Sequence, residues 1–285
     1  MSSLQRPRVK SFIERKKEET EILNNKEEQI KQHLTTIKNH RTFSKVLNIS
    51  LNTLESLISL ENSDHLININ SIIKFKGIKI LCSVASENIT NDEIIEKVTM
   101  ILKNMINNDN KKTYELSKLF LEKNGQNDIF QLLINLKDKK CILNLLEIIF
   151  ILIPIPQFFK ILIDSEMTES IKFLVDYNEN NFEIKSFLYK LISKITYHKK
   201  GRDLLINKNF CEKIINNIKI SIQNKNSECF LDGLIILDNI LKNDKEKIII
   251  KELETIKILG EGISVFFDNK QIYSMINKIY MKIIT

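Results

Sequence analysis

The chain has no tryptophan, a single alanine (Ala85), three prolines and six glycines in 285 residues. So little Gly and Pro cannot supply the turns of a many-stranded sandwich or barrel, whereas helices joined by short polar turns need little of either. Long uncharged stretches are missing too. The most apolar segment, Cys141 to Phe159, contains Glu147, Pro154 and Pro156, and its longest uncharged run, Ile148 to Phe159, is 12 residues. A membrane span needs roughly 20 predominantly apolar residues. The segment therefore reads as the most buried helix of a folded domain, and no transmembrane segment is expected. The opening Met1-Ser2-Ser3 has neither the apolar stretch of a signal peptide nor a Gly at position 2 for myristoylation.

The four cysteines, Cys82, Cys141, Cys211 and Cys229, are far apart and form no Cys-x-x-Cys. In a chain long enough to build a core they read as reduced, buried residues of an intracellular, cytoplasmic protein. Asn48-Ile49-Ser50 and Asn88-Ile89-Thr90 match the glycosylation pattern, as expected by chance in so Asn-rich a chain.

Catalytic signatures are equally scarce. Gly260-Glu261-Gly262-Ile263-Ser264-Val265 begins like a dinucleotide fingerprint, but the third position is Val and no parallel-sheet pattern surrounds it. No Gly-Lys is followed by Ser or Thr, so there is no Walker loop. His33 and His40 are seven apart without a third ligand at metal spacing, which reads as two surface histidines. Nothing assembles a nucleophile, a base and an oxyanion site. The expectation is a non-enzyme with no cofactor, no metal and no small-molecule substrate.

What is abundant is isoleucine, lysine and asparagine, at 51, 38 and 31 residues. The net charge is +7 and is unevenly placed: residues 1–45 hold 11 basic and 6 acidic side chains, leaving the remainder nearly balanced. The balanced body argues against nucleic acid as a partner. The arm carrying Arg6, Arg8, Lys10, Arg15, Lys16 and Lys17 is a candidate contact for an acidic protein surface, phosphate or lipid, against the plainer reading of a solvated helix start. Leu23, Ile30 and Ile37, spaced by seven with Leu34 between, indicate one short amphipathic helix there rather than a coiled coil. Val46, Leu47, Leu51, Leu54, Leu57 and Ile58 indicate a second helix, a cap on the domain that begins near residue 70.

That domain is repetitive. Residues at steps of four recur as Ile73, Gly77, Leu81, Ala85; Leu121, Gly125, Ile129, Leu133; Ile163, Met167, Ile171, Val175; and Ile206, Phe210, Ile214, Ile218. The starts are 48, 42 and 43 residues apart, and a further step of 43 reaches Ile249 and Leu253 but then Lys257, a degenerate fifth copy. Each copy is succeeded by a second run at helical spacing, such as Ile184, Phe187, Leu188, Leu191, Ile192 and Ile195. The polar turns between include Asn178 to Asn181 and Asn224 to Ser227. A helical pair that cannot bury its face alone must stack on its neighbours, which is the logic of an α-solenoid. The rival is β structure at Ile248 to Ile250 and Ile263 to Phe267, because isoleucine is β-branched.

The segment Phe120-Leu121-Glu122-Lys123-Asn124-Gly125-Gln126-Asn127-Asp128-Ile129-Phe130-Gln131-Leu132-Leu133 resembles the armadillo repeat, in which an apolar residue precedes a Gly by four and a double Leu ends the second helix. Leu204 to Phe210 is similar, with Phe210 where the family often has Gly. HEAT repeats share the period and remain open as the subtype. The resemblance implies an all-α, right-handed α-solenoid of about five repeats over residues 46–285, with residues 1–45 as a basic, charged N-terminal helix. It also implies a groove lined from the third helix of each repeat, where the family often carries Asn. Asn104 and Asn239 fit that position, and Lys194 occupies it in another copy. The Trp that pairs with Asn in the importin-α groove is absent, so nuclear import is not implied. The functional expectation is a scaffold binding a partner protein or peptide through Asn104, Lys194 and Asn239. The alternative is a structural subunit of a cytoskeletal or ciliary assembly, anchored through the basic arm.

Overall fold

The computed structural model describes residues 12–106, 110–123, 125–136, 139–164, 167–177, 181–242, 244–252 and 254–284. Among them are seventeen helices and no strand. The chain divides into two compact units, Met1–Asn135 and Leu136–Thr285.

The first unit contains α1 (Phe12–Asn39), α2 (Ser44–Ile58), α3 (His65–Lys74), α4 (Gly77–Glu87), α5 (Asp92–Ile106), α6 (Asn110–Glu122) and α7 (Gly125–Asn135). At 28 residues, α1 is much longer than the short helix its apolar spacing suggests. Its Ile30, Leu34 and Ile37 are buried and it packs against α2, α3 and α4, while Leu23, in the same heptad spacing, stays exposed. Two rows result: α1, α4 and α7 pack in succession, and α2 packs on α5. Charges of α1 and of the turn after it are engaged within the unit. Lys26 pairs with Asp64, Glu27 with Lys74 at 2.8 Å, and Arg41 with Glu87 and with Ser83 at 2.9 Å.

The junction between α3 and α4 shows why a glycine stands in the repeated frame. Lys76 adopts a left-handed conformation with φ 59°, and α4 then starts hard against its neighbours. A Cβ on Gly77 would lie 2.4 Å from Ile72 Cγ2 and 3.2 Å from Leu34 Cδ2. Ile73, Gly77, Leu81 and Ala85 are all buried.

The second unit contains α8 (Lys139–Leu152), α9 (Pro156–Asp164), α10 (Met167–Tyr177), α11 (Phe182–Tyr197), α12 (Lys199–Leu205), α13 (Lys208–Gln223), α14 (Ser227–Ile240), α15 (Asp244–Glu252), α16 (Thr255–Val265) and α17 (Lys270–Ile284). Each of α8, α11, α14 and α17 packs on the next, and α13 packs on α16. α9, α12 and α15 are short and precede the second helices α10, α13 and α16. Ile171 and Ile214, at matching positions of the repeated frame, are both fully buried. Each buried Ile or Leu contributes about 1.5 to 3 kcal/mol.

Three sequence expectations change in detail. The Cys141 to Phe159 segment is two helices, not one: α8 and α9 meet at a 118° bend between Leu152 and Pro156, and no single helix among the described residues is long and apolar enough to cross a membrane. The fifth repeat is present, with its register displaced. α16 turns Thr255, Ile258, Leu259 and Gly262 inward and leaves Lys257 exposed, and a Cβ on Gly262 would lie 2.3 Å from the Phe230 ring. Ile248 to Ile250 lie in α15 and Ile263 to Val265 in α16, so β-branching does not override the helical spacing there.

The asparagine-rich turns have a local role. Asn181, Asn207 and Asn226 cap α11, α13 and α14, their side chains accepting from Ile184 N at 3.3 Å, Phe210 N at 2.9 Å and Cys229 N at 3.0 Å. Each satisfies one of the backbone donors that a helix start leaves open.

Candidate functional site

The break between α8 and α9 creates an apolar hollow in the second unit. Proline has no N–H and fixes φ, so it ends one helix and suits the first position of the next, where Pro156 stands. Ile155 N donates to Leu152 O at 3.0 Å, closing the turn. α9 departs at a steep angle, leaving Ile153, Pro154, Pro156, Phe159, Lys160 and Ile163 on one side of a cleft of about 620 Å³. α11 supplies Ser193, Lys194, Tyr197 and His198 from its C-terminal end, and α14 supplies Ile235 and Asn239. A smaller hollow of about 350 Å³ in this unit is lined by Lys172, Phe173, Val175, Asn207, Asn209, Phe210 and Lys213. One of about 550 Å³ in the first unit is lined by Asn52, Glu55, Ser56, Ser59, Glu61 and Asn62. The cleft beside α9 differs from the latter in its apolar and aromatic walls.

Its aromatic side is ordered. His198 lies 4.4 Å from the Phe159 ring and 5.5 Å from Tyr197, edge to face with the latter, and the Lys242 ammonium sits 4.7 Å above Tyr197. Tyr197 is nonetheless 65% exposed. Arg202 donates to the carbonyls of Thr196 at 3.0 Å and Tyr197 at 2.9 Å, so a cation covers the open C-terminal end of α11.

Asn239 ties the floor together. It is buried, and its amide donates to Ser193 O at 3.1 Å and Thr196 Oγ1 at 3.3 Å, while its Oδ1 accepts from Lys242 at 2.9 Å. Burial lowers the Lys242 pKa, with Arg202 acting in the same direction. Next to Asn239, burial alone would raise the Asp238 carboxyl. Hydrogen bonds from Lys278 at 2.8 Å and Lys282 at 2.6 Å reverse that, and its pKa is lowered. Further along α14, Asp232 is buried with one carboxylate oxygen unpartnered; desolvation pushes its pKa up to about 6 despite nearby Lys190.

Two of the positions expected from sequence meet within the second unit. Lys194 and Asn239 come together at the cleft, the first exposed and the second buried. Asn104 is half-buried on α5 in the first unit. Arg15, Lys16 and Lys17 fall on α1, where only the backbone is described, and Arg6, Arg8 and Lys10 lie outside the described residues. Phe159, Lys160, Tyr197 and His198 were not singled out from sequence. The Pro-Ile-Pro break was their visible signal, since it ends α8 and turns α9 across the end of α11. Among the described residues no group of three or more His, Cys, Asp and Glu is placed to hold a metal.

No family model matches the chain, and no curated protein matches it. Solved structures do. The crystal structure of an engineered protein aligns over 91% of this chain and 96% of its own, with a TM-score of 0.61 at 13% identity. A designed armadillo repeat protein aligns over 88% of this chain and 98% of its own, with a TM-score of 0.61 at 14% identity. The fold is the armadillo-like helical repeat. In armadillo terms, α9–α11, α12–α14 and α15–α17 are successive repeats, and α11 and α14 are the third helices of two neighbours. The cleft is thus lined in part from third helices, by Lys194 of α11 and Asn239 of α14 among others.

Proposed function

We propose that the chain is a non-catalytic scaffold that binds a segment of a partner protein in the cleft formed by α9, α11 and α14. The observation that supports it is the combination, on adjacent third helices, of apolar walls with an exposed Tyr197 ring held by His198 and Lys242. Large amphipathic rings fixed in place before binding are the side chains that dominate interface energetics. The four buried thiols fit a reducing compartment, which supports a cytoplasmic location.

The test is site-specific photocrosslinking in native extract, with the crosslinking side chain placed at Tyr197 and, as the control, at the half-exposed Tyr273 of α17. A discrete partner captured from position 197 and reconstituted from purified components supports the reading. Capture from position 273 alone moves the binding surface away from the cleft and rejects it.

A further inference from the structure

Resting on the cleft reading above, we infer that the cognate segment is acidic, with one large apolar side chain for the cleft and carboxylates beside it. The charge around the hollow is one-sided. Of its titratable lining residues, Lys160, Lys194, Tyr197 and His198, none is a carboxylate, and the remainder of the wall is mostly aliphatic, aromatic or proline. Lys160 and Lys194 are both exposed and come from two different helices, α9 and α11. Carboxylates beside the anchor would therefore meet cations.

Neighbouring groups remove the negative potential that would oppose this. Arg202 occupies the carbonyls at the end of α11, where the helix dipole is negative. Lys242 adds a further cation at the lip, above Tyr197. The Asp238 carboxylate is taken by Lys278 and Lys282, and the Asp232 carboxylate, though near enough to Lys194 and Lys190 to feel their charge, is buried and does not line the hollow. A basic segment would meet the like charges of Lys160, Lys194 and Lys242, whereas an acidic one is steered in and oriented. The apolar anchor is dictated by the walls: Ile153, Pro154, Pro156, Ile163 and Ile235 offer little hydrogen bonding, so a polar side chain there would lose its water without replacement.

The experiment selects binders from a display library of random short peptides on the full chain, then measures their affinities for the unmodified protein, for Lys160→Glu with Lys194→Glu, and for Pro154→Trp. Pro154→Trp crowds the cleft mouth without altering its charge. The expected result is enrichment of Asp and Glu beside Leu, Ile, Phe or Trp. Affinity should fall on the order of tenfold or more in the charge-reversed variant and be lost in Pro154→Trp, with unchanged thermal unfolding of both variants. Should a variant unfold, weakening of the unmodified complex with rising salt gives the same reading of charge. Peptides that need an open cleft but show no acidic bias, or are indifferent to both charge reversal and salt, overturn this inference and leave the cleft reading standing. Peptides indifferent to Pro154→Trp, or the recovery of none, overturn both.

Discussion

Asn239 on α14 donates its side-chain amide to the Ser193 carbonyl of α11 across 3.1 Å, inside the helix pair that forms the cleft floor. Its role is therefore structural as well as positional, and Asn239→Ala removes the hydrogen bonds that join α14 to Ser193 O and Thr196 Oγ1 of α11, together with the one from Lys242. The expected loss is about 1 to 3 kcal/mol in urea unfolding. A loss within a few tenths of a kcal/mol would mean the clamp is not made in solution.

Ile171→Ala and Ile214→Ala each remove a fully buried side chain at equivalent positions of successive repeats, and each should destabilise by about 2 to 5 kcal/mol. Lys172→Ala, adjacent to Ile171, removes one hydrogen bond to Leu204 O at 3.0 Å. Its cost should stay at or below about 1 kcal/mol. Equal losses at Ile171 and Lys172 in denaturant titrations would contradict the assignment of faces.

Two glycines in helices should respond oppositely to alanine. A Cβ on Gly201 would lie 2.2 Å from the Ile195 backbone oxygen, which cannot rotate away, whereas on Gly260 the nearest atom is Tyr280 Oη at 3.6 Å. Gly201→Ala should lower the melting temperature. Gly260→Ala should stabilise by roughly 0.5 to 1 kcal/mol through helix propensity.

Asp232 gives the protein a pH dependence of unusual sign for a carboxylate. Its pKa in the fold is raised to about 6 from an ordinary value of 3.8, so the folded state holds more protons than the unfolded state between those values. Stability therefore falls as pH rises through that window and is lowest above it, by on the order of 3 kcal/mol. Asp232→Asn should flatten the profile and stabilise the protein at neutral pH. Stability rising between pH 4 and 6 because of Asp232 would refute the assignment.

The repeat was legible because burial enforces the four-residue spacing: Ile73, Leu81, Ile129, Ile171 and Ile214 are buried as their frame requires. The fifth copy was obscured by a change of spacing, because Thr255 and Leu259 take the inward places of α16 where the arithmetic step points to Leu253 and Lys257. The cleft was legible only in part. Third-helix position leads to Lys194 and Asn239, but their opposite exposures depend on which way each faces its neighbour, and periodicity along one helix carries no information about that. Phe159 and His198 meet through the bend at Pro154 and Pro156, a tertiary angle that no spacing encodes.

The succession of α8, α11, α14 and α17, each packed on the next, also imposes an order in time. A helix with neighbours on both sides opens only when one of them has already let go, so local opening must proceed inward. Backbone amides of α14, held between α11, α13 and α17, should exchange with deuterium more slowly than those of α17, which leans on α14, α15 and α16 and leaves Tyr273, Met281 and Ile284 exposed.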